Sequence, residues 1–134
     1  MIKYDFSNKI VLVTASSQGI GYGVAKAFHE TGAKVVICSR TNSKLQKSSK
    51  VLSGGDPSRV LSISGDISKI NFLKSLVSHV QEYYKESIDI LVNNSGGPPP
   101  GESTSITDKV WKKAIDSNLM SVIRLCSMVL PGMK

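Results

Sequence analysis

Apolar residues fall along this chain in two alternating rhythms. Four short runs read as strands: KIVLVTA (9–15), AKVVICSR (33–40), RVLSISGD (59–66) and IDILVNNSG (88–96). The first two are continuous enough to belong to strands buried on both faces of a sheet. Between them the period lengthens to that of a helix. One helix is expected over about 20–31, stopped by Gly32, and a modest one over 43–53, ended by GGDP. From 69 to 86, Ile70, Leu73, Val77, Val80 and Tyr84 recur at helical spacing. A long helical segment, about 105–130, runs to the terminal PGMK, and its approach, GGPPPGE (96–102), is excluded from helix by its prolines.

Four alternations of strand and helix with short connections predict an α/β fold, a doubly wound parallel sheet with helices on both faces. Right-handed crossovers then give the strand order 3-2-1-4. In such a sheet the switch point lies between strands one and four. A ligand belongs at their carboxyl ends, where TASSQGIG (14–21) and NNSGGPPPG (93–101) both fall. The length of 134 residues suits one domain spanning the whole chain.

Composition narrows the classes of function. A hydrophobic content of 40% with 20% charged residues is that of a globular chain. No apolar stretch is long enough for a membrane span, and the start has no cleavage pattern, so a cytoplasmic protein without membrane contact is expected. The net charge of +7 is spread over single lysines without interleaved aromatics, which argues against nucleic acid and leaves a general pull on anionic ligands. Cys38 and Cys126 lack metal or redox spacing, and no metal site is expected. His29 and His79 are isolated and have no nucleophile pattern around them.

The turn after strand one carries Gly19, Gly21 and Gly23, but Val24 stands where G-x-G-x-x-G requires its third glycine. Its chemistry still suits a pyrophosphate. Glycines allow close backbone approach, the N–H groups of a first helical turn point at the anion, and Ser16 and Ser17 add hydroxyl donors. A tight strand-to-helix turn needs glycine for steric reasons as well, so the glycines alone do not decide.

The wider pattern does. TASSQGIG resembles the T-G-x-x-x-G-[IL]-G turn of the short-chain dehydrogenase/reductase family, and NNSG (93–96) resembles its N-N-A-G. GDI (65–67) matches an Asp-hydrophobic pair at the end of strand three, and Asn118 in WKKAIDSNLMSV matches the family's active-site helix asparagine. The resemblance implies a Rossmann-type fold that binds a nicotinamide dinucleotide and moves hydride between it and an alcohol or carbonyl substrate. By the same resemblance Gly19, Ile20 and Gly21 form the pyrophosphate turn, and Asp66 binds the adenine amino group while Ile67 flanks the ring. Asp66 is equally a turn-former ahead of Ser68, and both roles can hold together. Asn93, Ser95 and Gly96 lie beside the cofactor. At the end of strand two, Ser39 replaces the acidic residue of NAD-preferring members and Arg40 follows, able to pair with a 2′-phosphate. NADP is expected over NAD, the alternative being that Arg40 is a surface arginine. Ala15 for the first glycine and Ser95 for an alanine are departures between small residues.

At 100° per residue, Trp111, Ile115, Val122, Cys126 and Val129 share one face of the last helix, with Asn118 among them. A buried amide needs partners. It is either a core asparagine bonded to nearby backbone or, as the resemblance implies, a catalytic-site residue that bonds main chain and holds a water in a proton relay. Leu119, Ile123 and Leu130 extend the apolar surface to a second face, resembling the helix through which family members associate, so a homo-oligomer is expected.

Tyr22-x-x-x-Lys26 imitates the family's catalytic pair but lies on the pyrophosphate helix. A helical wheel puts Ile20, Val24 and Phe28 inward with Ala27 beside them, and Tyr22, Lys26 and His29 outward, away from the sheet. The family's catalytic serine and its Tyr-x-x-x-Lys come later than Lys134, so this chain alone is expected to be inactive. Three readings remain: part of an NADP-dependent reductase, a non-catalytic NADP(H)-binding module, or an assembly partner completed by another chain.

Overall fold

The four apolar runs form one parallel sheet, β1 (Ile10–Val13), β2 (Lys34–Ser39), β3 (Val60–Ser64) and β4 (Ile90–Val92), in the order β3-β2-β1-β4. This computed structural model describes residues 2–134. Val11 stands opposite Val35 on one side and Ile90 on the other, and Leu12 opposite Val36 and Leu91. All of β1 is fully buried because it is central and covered on both faces, which is why it reads as an unbroken apolar run.

Alternation along the strands divides the core in two. Ile10, Leu12, Val36 and Cys38 point toward α3 (Ile70–Tyr84) and α5 (Ser121–Met133), meeting Leu73, Leu76, Val80, Leu125 and Val129. Val11, Val13, Val35 and Ile37 point the other way, onto Ala25 of α1 (Gly19–Glu30) and onto Leu45 and Leu52 of α2 (Asn42–Ser53). The predicted doubly wound α/β arrangement is therefore present, with its strand order. A 3₁₀ turn, Pro57–Arg59, leads into β3, and Arg59 Nη1 donates to the carbonyls of His29 and Ala33, tying that turn to the end of α1.

Two helices differ from expectation. In α1 the fully buried residues are Gly21 and Ala25, while Ile20 is 82% exposed and Ala27 lies at the surface. Tyr22 is not turned away: it packs with Val24 and Phe28 against the cluster beneath α1. The helix approaches the sheet too closely for large side chains on the innermost line, so small residues mark that face and a wheel weighted by hydrophobicity misplaces it. Lys26 is exposed and pairs with Glu30 at 3.7 Å, as a surface cation does.

The last helix is not a single regular rod. It begins as α4 (Asp108–Ile115), passes through one π turn at Asp116–Met120 and continues as α5. One extra residue in a turn rotates the faces on either side by about 100°. The inward line of α5 is Ser121, Leu125 and Val129, whereas Trp111 and Ile115 are close to half exposed. The predicted single stripe from Trp111 to Val129 therefore breaks at the residue it was meant to explain, Asn118.

His29, near the end of α1, has a buried Nε2 with no hydrogen-bond partner among the described residues. Burial, assisted by the Arg59 charge, lowers its pKa below the ordinary histidine value. The unfolded chain then binds this proton more readily, so the stability that His29 contributes is complete above about pH 6.5 and is lost as pH falls through the lowered value. Urea midpoints at pH 5 and pH 7.5 should show this loss, and His29→Gln should reduce the difference between them.

Candidate functional site

The carboxyl ends of β1 and β4 are joined by side chains rather than by more ladder. Thr14, 1% exposed, donates its hydroxyl to the Asn94 carbonyl at 2.6 Å and accepts from the Asn94 N–H at 2.8 Å. Asn94 Nδ2 donates in turn to the carbonyls of Thr14 (3.3 Å) and Ala15 (3.1 Å). These bonds set the TASSQGIG turn and the NNSG loop side by side. Gly21 completes the contact: a Cβ there would come within 2.7 Å of both Ala15 O and Asn94 Nδ2. Ala15 is held at φ +47°, a left-handed conformation that favours glycine.

Ser16 does not serve as the surface donor that the sequence suggests. It is fully buried, donates to Val13 O at 2.6 Å and accepts from Cys38 N–H at 3.2 Å. Its hydroxyl fastens the turn to β2, because a buried polar group in so tight a bend must find a partner inside. Beneath it, burial pushes the Cys38 thiol up to about 11, leaving an inert packing residue. Ser17 is half-buried, and its carbonyl accepts from Ser48 Oγ at 2.6 Å. Gly19 has φ +62° and opens α1, whose first turn has no side-chain cap and no acidic residue. The N–H groups and the positive end of the helix dipole therefore face outward unopposed, with Ile20 exposed beside them.

Arg40 is exposed at the end of β2 and takes part in no ion pair among the described residues. Asp66, half-buried after β3, accepts from the Ser68 N–H at 2.9 Å, which makes it the expected turn-former. Burial alone raises its pKa, but the Ser68 bonds and the Arg40 and Lys69 charges outweigh that and leave it below the usual carboxylate value. Ile67 packs partly against the core under α3.

On the other side of the switch point Asn93 is exposed, and its Nδ2 donates to Cys126 Sγ at 3.5 Å. Ser95 Oγ donates to Asn118 Oδ1 at 2.5 Å, while Asn118 Nδ2 donates to Ala114 O at 2.8 Å and Ser117 Oγ at 3.0 Å. Asn118 is thus bonded to main chain, as both readings of it required. Gly96 is exposed, with open space around it. The following prolines and α4 line a half-open pocket of about 290 Å³, bordered by Pro98, Pro100, Ile106, Val110, Trp111 and Ala114 among others.

The fold brings Ser17, Gly19, Gly21, Asn93, Ser95, Gly96 and Asn118 to the carboxyl ends of β1 and β4, with Arg40 and Asp66 at the ends of β2 and β3. Tyr22 and Lys26 belong to the opposite face of the sheet from α5. Sequence reasoning placed the Asn93-Asn94 doublet beside the cofactor but did not foresee the bonds by which Thr14 and Asn94 join the two strand ends. Both lie inside recognised motifs, and the available signal was a hydroxyl and an amide at the ends of two strands expected to pair.

A parallel sheet with helices on both faces, a glycine turn at an uncapped helix start and a switch point between β1 and β4 define a Rossmann-type α/β fold. The chain belongs to the short chain dehydrogenase family, whose pattern it matches over residues 9–134. It is 31% identical over 137 residues to dehydrogenase/reductase SDR family member 7C of Xenopus tropicalis, covering 99% of this chain and 44% of the relative. It is 34% identical over 128 residues to the 3-oxoacyl-[acyl-carrier-protein] reductase FabG of Chlamydia muridarum, covering 94% and 50%. The fold superposes with a TM-score of 0.92 and 28% identity on L-sorbose reductase from Gluconobacter frateurii complexed with NADPH and L-sorbose, covering 98% of this chain and 50% of that one. The chain spans about half the length of the relatives it matches.

Two substitutions test the geometry of the turn. Ala15→Gly should raise unfolding free energy by about 0.5–1 kcal/mol, the relief of a left-handed alanine less the extra freedom of an unfolded glycine. Asn94→Ala should lower it by about 2–3 kcal/mol, since it strips two partly buried side-chain bonds and opens space beside Gly21. Urea denaturation of each variant measures both.

Proposed function

We propose that this chain is the cofactor-binding part of an NADP(H)-dependent oxidoreductase that transfers hydride between the nicotinamide and an alcohol or carbonyl compound. The observation that carries the reading is the pairing of the glycine turn with the NNSG loop through Thr14 and Asn94, beside a helix start whose N–H groups have no internal acid to answer them. That arrangement suits a pyrophosphate at the turn and a nicotinamide over the loop. The residues present fit such a group. Ser17, Gly19, Ile20 and Gly21 would cradle the pyrophosphate, chiefly through backbone, and Ser16 would act from behind by holding the turn in shape.

Asp66 and Ile67 would meet the adenine, and Asp66 remains ionised and half-open to accept from an amino group. Asn93, Ser95 and Gly96 would border the nicotinamide. When bound, the dinucleotide supplies or takes up the hydride; Asn118 would orient a water or hydroxyl at its remaining Oδ1 lone pair. The cavity between the prolines and α4 supports an apolar wall for part of the substrate. The preference for NADP rests on Arg40, an exposed guanidinium with no competing ion pair among the described residues, at the place where the ribose would lie. NADPH held by the L-sorbose reductase is a further support.

Association with a second copy is part of the same proposal. Ile115, Leu119, Ile123 and Leu130 are each about half exposed along α4, the π turn and α5. A contiguous apolar surface of this kind favours burial against another chain, and β4 stands at the edge of the sheet with its outer side open to pairing.

NADPH and NADH titrations of the purified chain test the cofactor reading. Arg40→Ala should weaken NADPH binding about tenfold or more while leaving NADH within about twofold, as expected for loss of a charge-assisted phosphate contact. An unchanged NADPH/NADH ratio would defeat the assignment of Arg40. Carbonyl reduction by the chain alone is not expected.

A further inference from the structure

Ser95 makes a bond that the loop it sits on does not need. The backbone of the adjacent Asn94 is already held at both N–H and C=O by the Thr14 hydroxyl, and the Asn94 side chain anchors to two more carbonyls. The loop is therefore fixed one residue before Ser95. The Ser95 hydroxyl nonetheless spans 23 residues of sequence to donate to Asn118 Oδ1 at 2.5 Å, the short limit for such bonds.

Asn118 itself sits in the π turn, where the regular ladder gives way to a bond from Ser121 N–H to Asp116 O. Side chains satisfy the carbonyls disturbed there. Ser117 Oγ donates to Lys113 O at 3.0 Å, Ser121 Oγ to Ser117 O at 2.8 Å, and Asn118 Nδ2 to Ala114 O at 2.8 Å. Asn118 Nδ2 gives its second hydrogen to Ser117 Oγ at 3.0 Å. Both amide donors are then spent, and so is one lone pair of Oδ1. What remains on the side chains of Asn118 and Ser95 is acceptor capacity only. The Ala114 carbonyl determines which end of the amide faces the helix, because a flipped amide would set oxygen against oxygen. Ser95 removes the freedom that is left, rotation of Oδ1 away from the loop.

We propose that Ser95 is a positioning residue for Asn118: its hydroxyl holds the amide with Oδ1 turned to the NNSG loop, so that this end of the site meets a ligand as a fixed acceptor. An alanine, which the family pattern carries at this place, has no hydroxyl with which to do so. The proposal concerns the same site as the nicotinamide reading and depends on that reading only for its binding measurement.

The test uses the full 134-residue chain, labelled with ¹⁵N, and Ser95→Ala beside Ser95→Thr, which keeps the hydroxyl. The Asn118 side-chain amide signals, assigned by their loss in Asn118→Ala, should move toward the position of a free amide in Ser95→Ala and exchange with solvent about tenfold faster. Ser95→Thr should restore both properties. Signals that stay in place in Ser95→Ala, or that move equally in Ser95→Thr, overturn the proposal. Should Ser95→Ala not fold, Ser95→Cys, a weaker donor, is read by the same criteria. NADPH should bind about fivefold more weakly to Ser95→Ala and within about twofold of wild type to Ser95→Thr. Equal affinity in all three overturns the claim that the fixed acceptor matters to a ligand. A wild-type chain that does not bind NADPH refutes the cofactor reading instead, since the amide signals are read without cofactor.

Discussion

The Thr14 hydroxyl takes the place of a peptide group where the ladder between β1 and β4 runs out. Parallel pairing carries Val13 against Val92, and Thr14 N–H still reaches Val92 O at 3.2 Å. Beyond that the two chains must part, one into a helix and the other into a loop. A single side chain that both donates to and accepts from Asn94 keeps them together for one more step. The consequences are local and connected. Asn94 can reach the Thr14 and Ala15 carbonyls only if Ala15 turns left-handed, and α1 can start where it does only if position 21 has no Cβ. Each bond contributes about 1 kcal/mol, yet together they allow one arrangement of turn and loop.

That arrangement rests on a sheet buried from both sides, and the same burial explains what could be read from the chain in advance. Continuous apolar runs mark strands whose two faces are covered, so the four strands and their order followed from pattern and crossover rules. The motifs at the strand ends were visible because a tight strand-to-helix turn needs particular small residues in a row. What was not legible depends on shape rather than on polarity. The face of α1 that meets the sheet is written in Gly21 and Ala25, whose smallness lets the helix approach, and the large Ile20 lies outside. The π turn leaves no mark in a helical wheel, because the wheel assumes the period that the turn interrupts. Ser16 looks identical in sequence whether its hydroxyl faces a ligand or, as here, the backbone of Val13 and Cys38.

Charge acts on this frame without building it. No acidic residue stands in the first turn of α1, and the excess of seven positive charges favours the approach of an anion from any side. The specific parts are fewer. Arg40 lies close enough to Asp66 to help lower its pKa, so the guanidinium expected to face a phosphate favours the ionised form of the carboxylate expected to face an amino group. A bound dinucleotide would therefore meet a carboxylate that is already ionised.

The two halves of the site are also joined from behind. Arg124 on α5 pairs with Asp116 in the π turn at 3.4 Å and donates to Ser68 O at 3.3 Å, in the turn that Asp66 closes. The Asp116 carboxylate is nearly half exposed, so the ion pair itself contributes little and the link rests chiefly on the reach of the arginine between the two turns. One arginine thus links the turn expected to hold adenine to the helical irregularity that carries Asn118. The π turn is accordingly fastened at both sides, to the NNSG loop through Ser95 and to the β3–α3 turn through Arg124. A helix irregularity held by two separate loops is a fixed part of the site's geometry, and its position at Asn118 follows from where those loops can reach it.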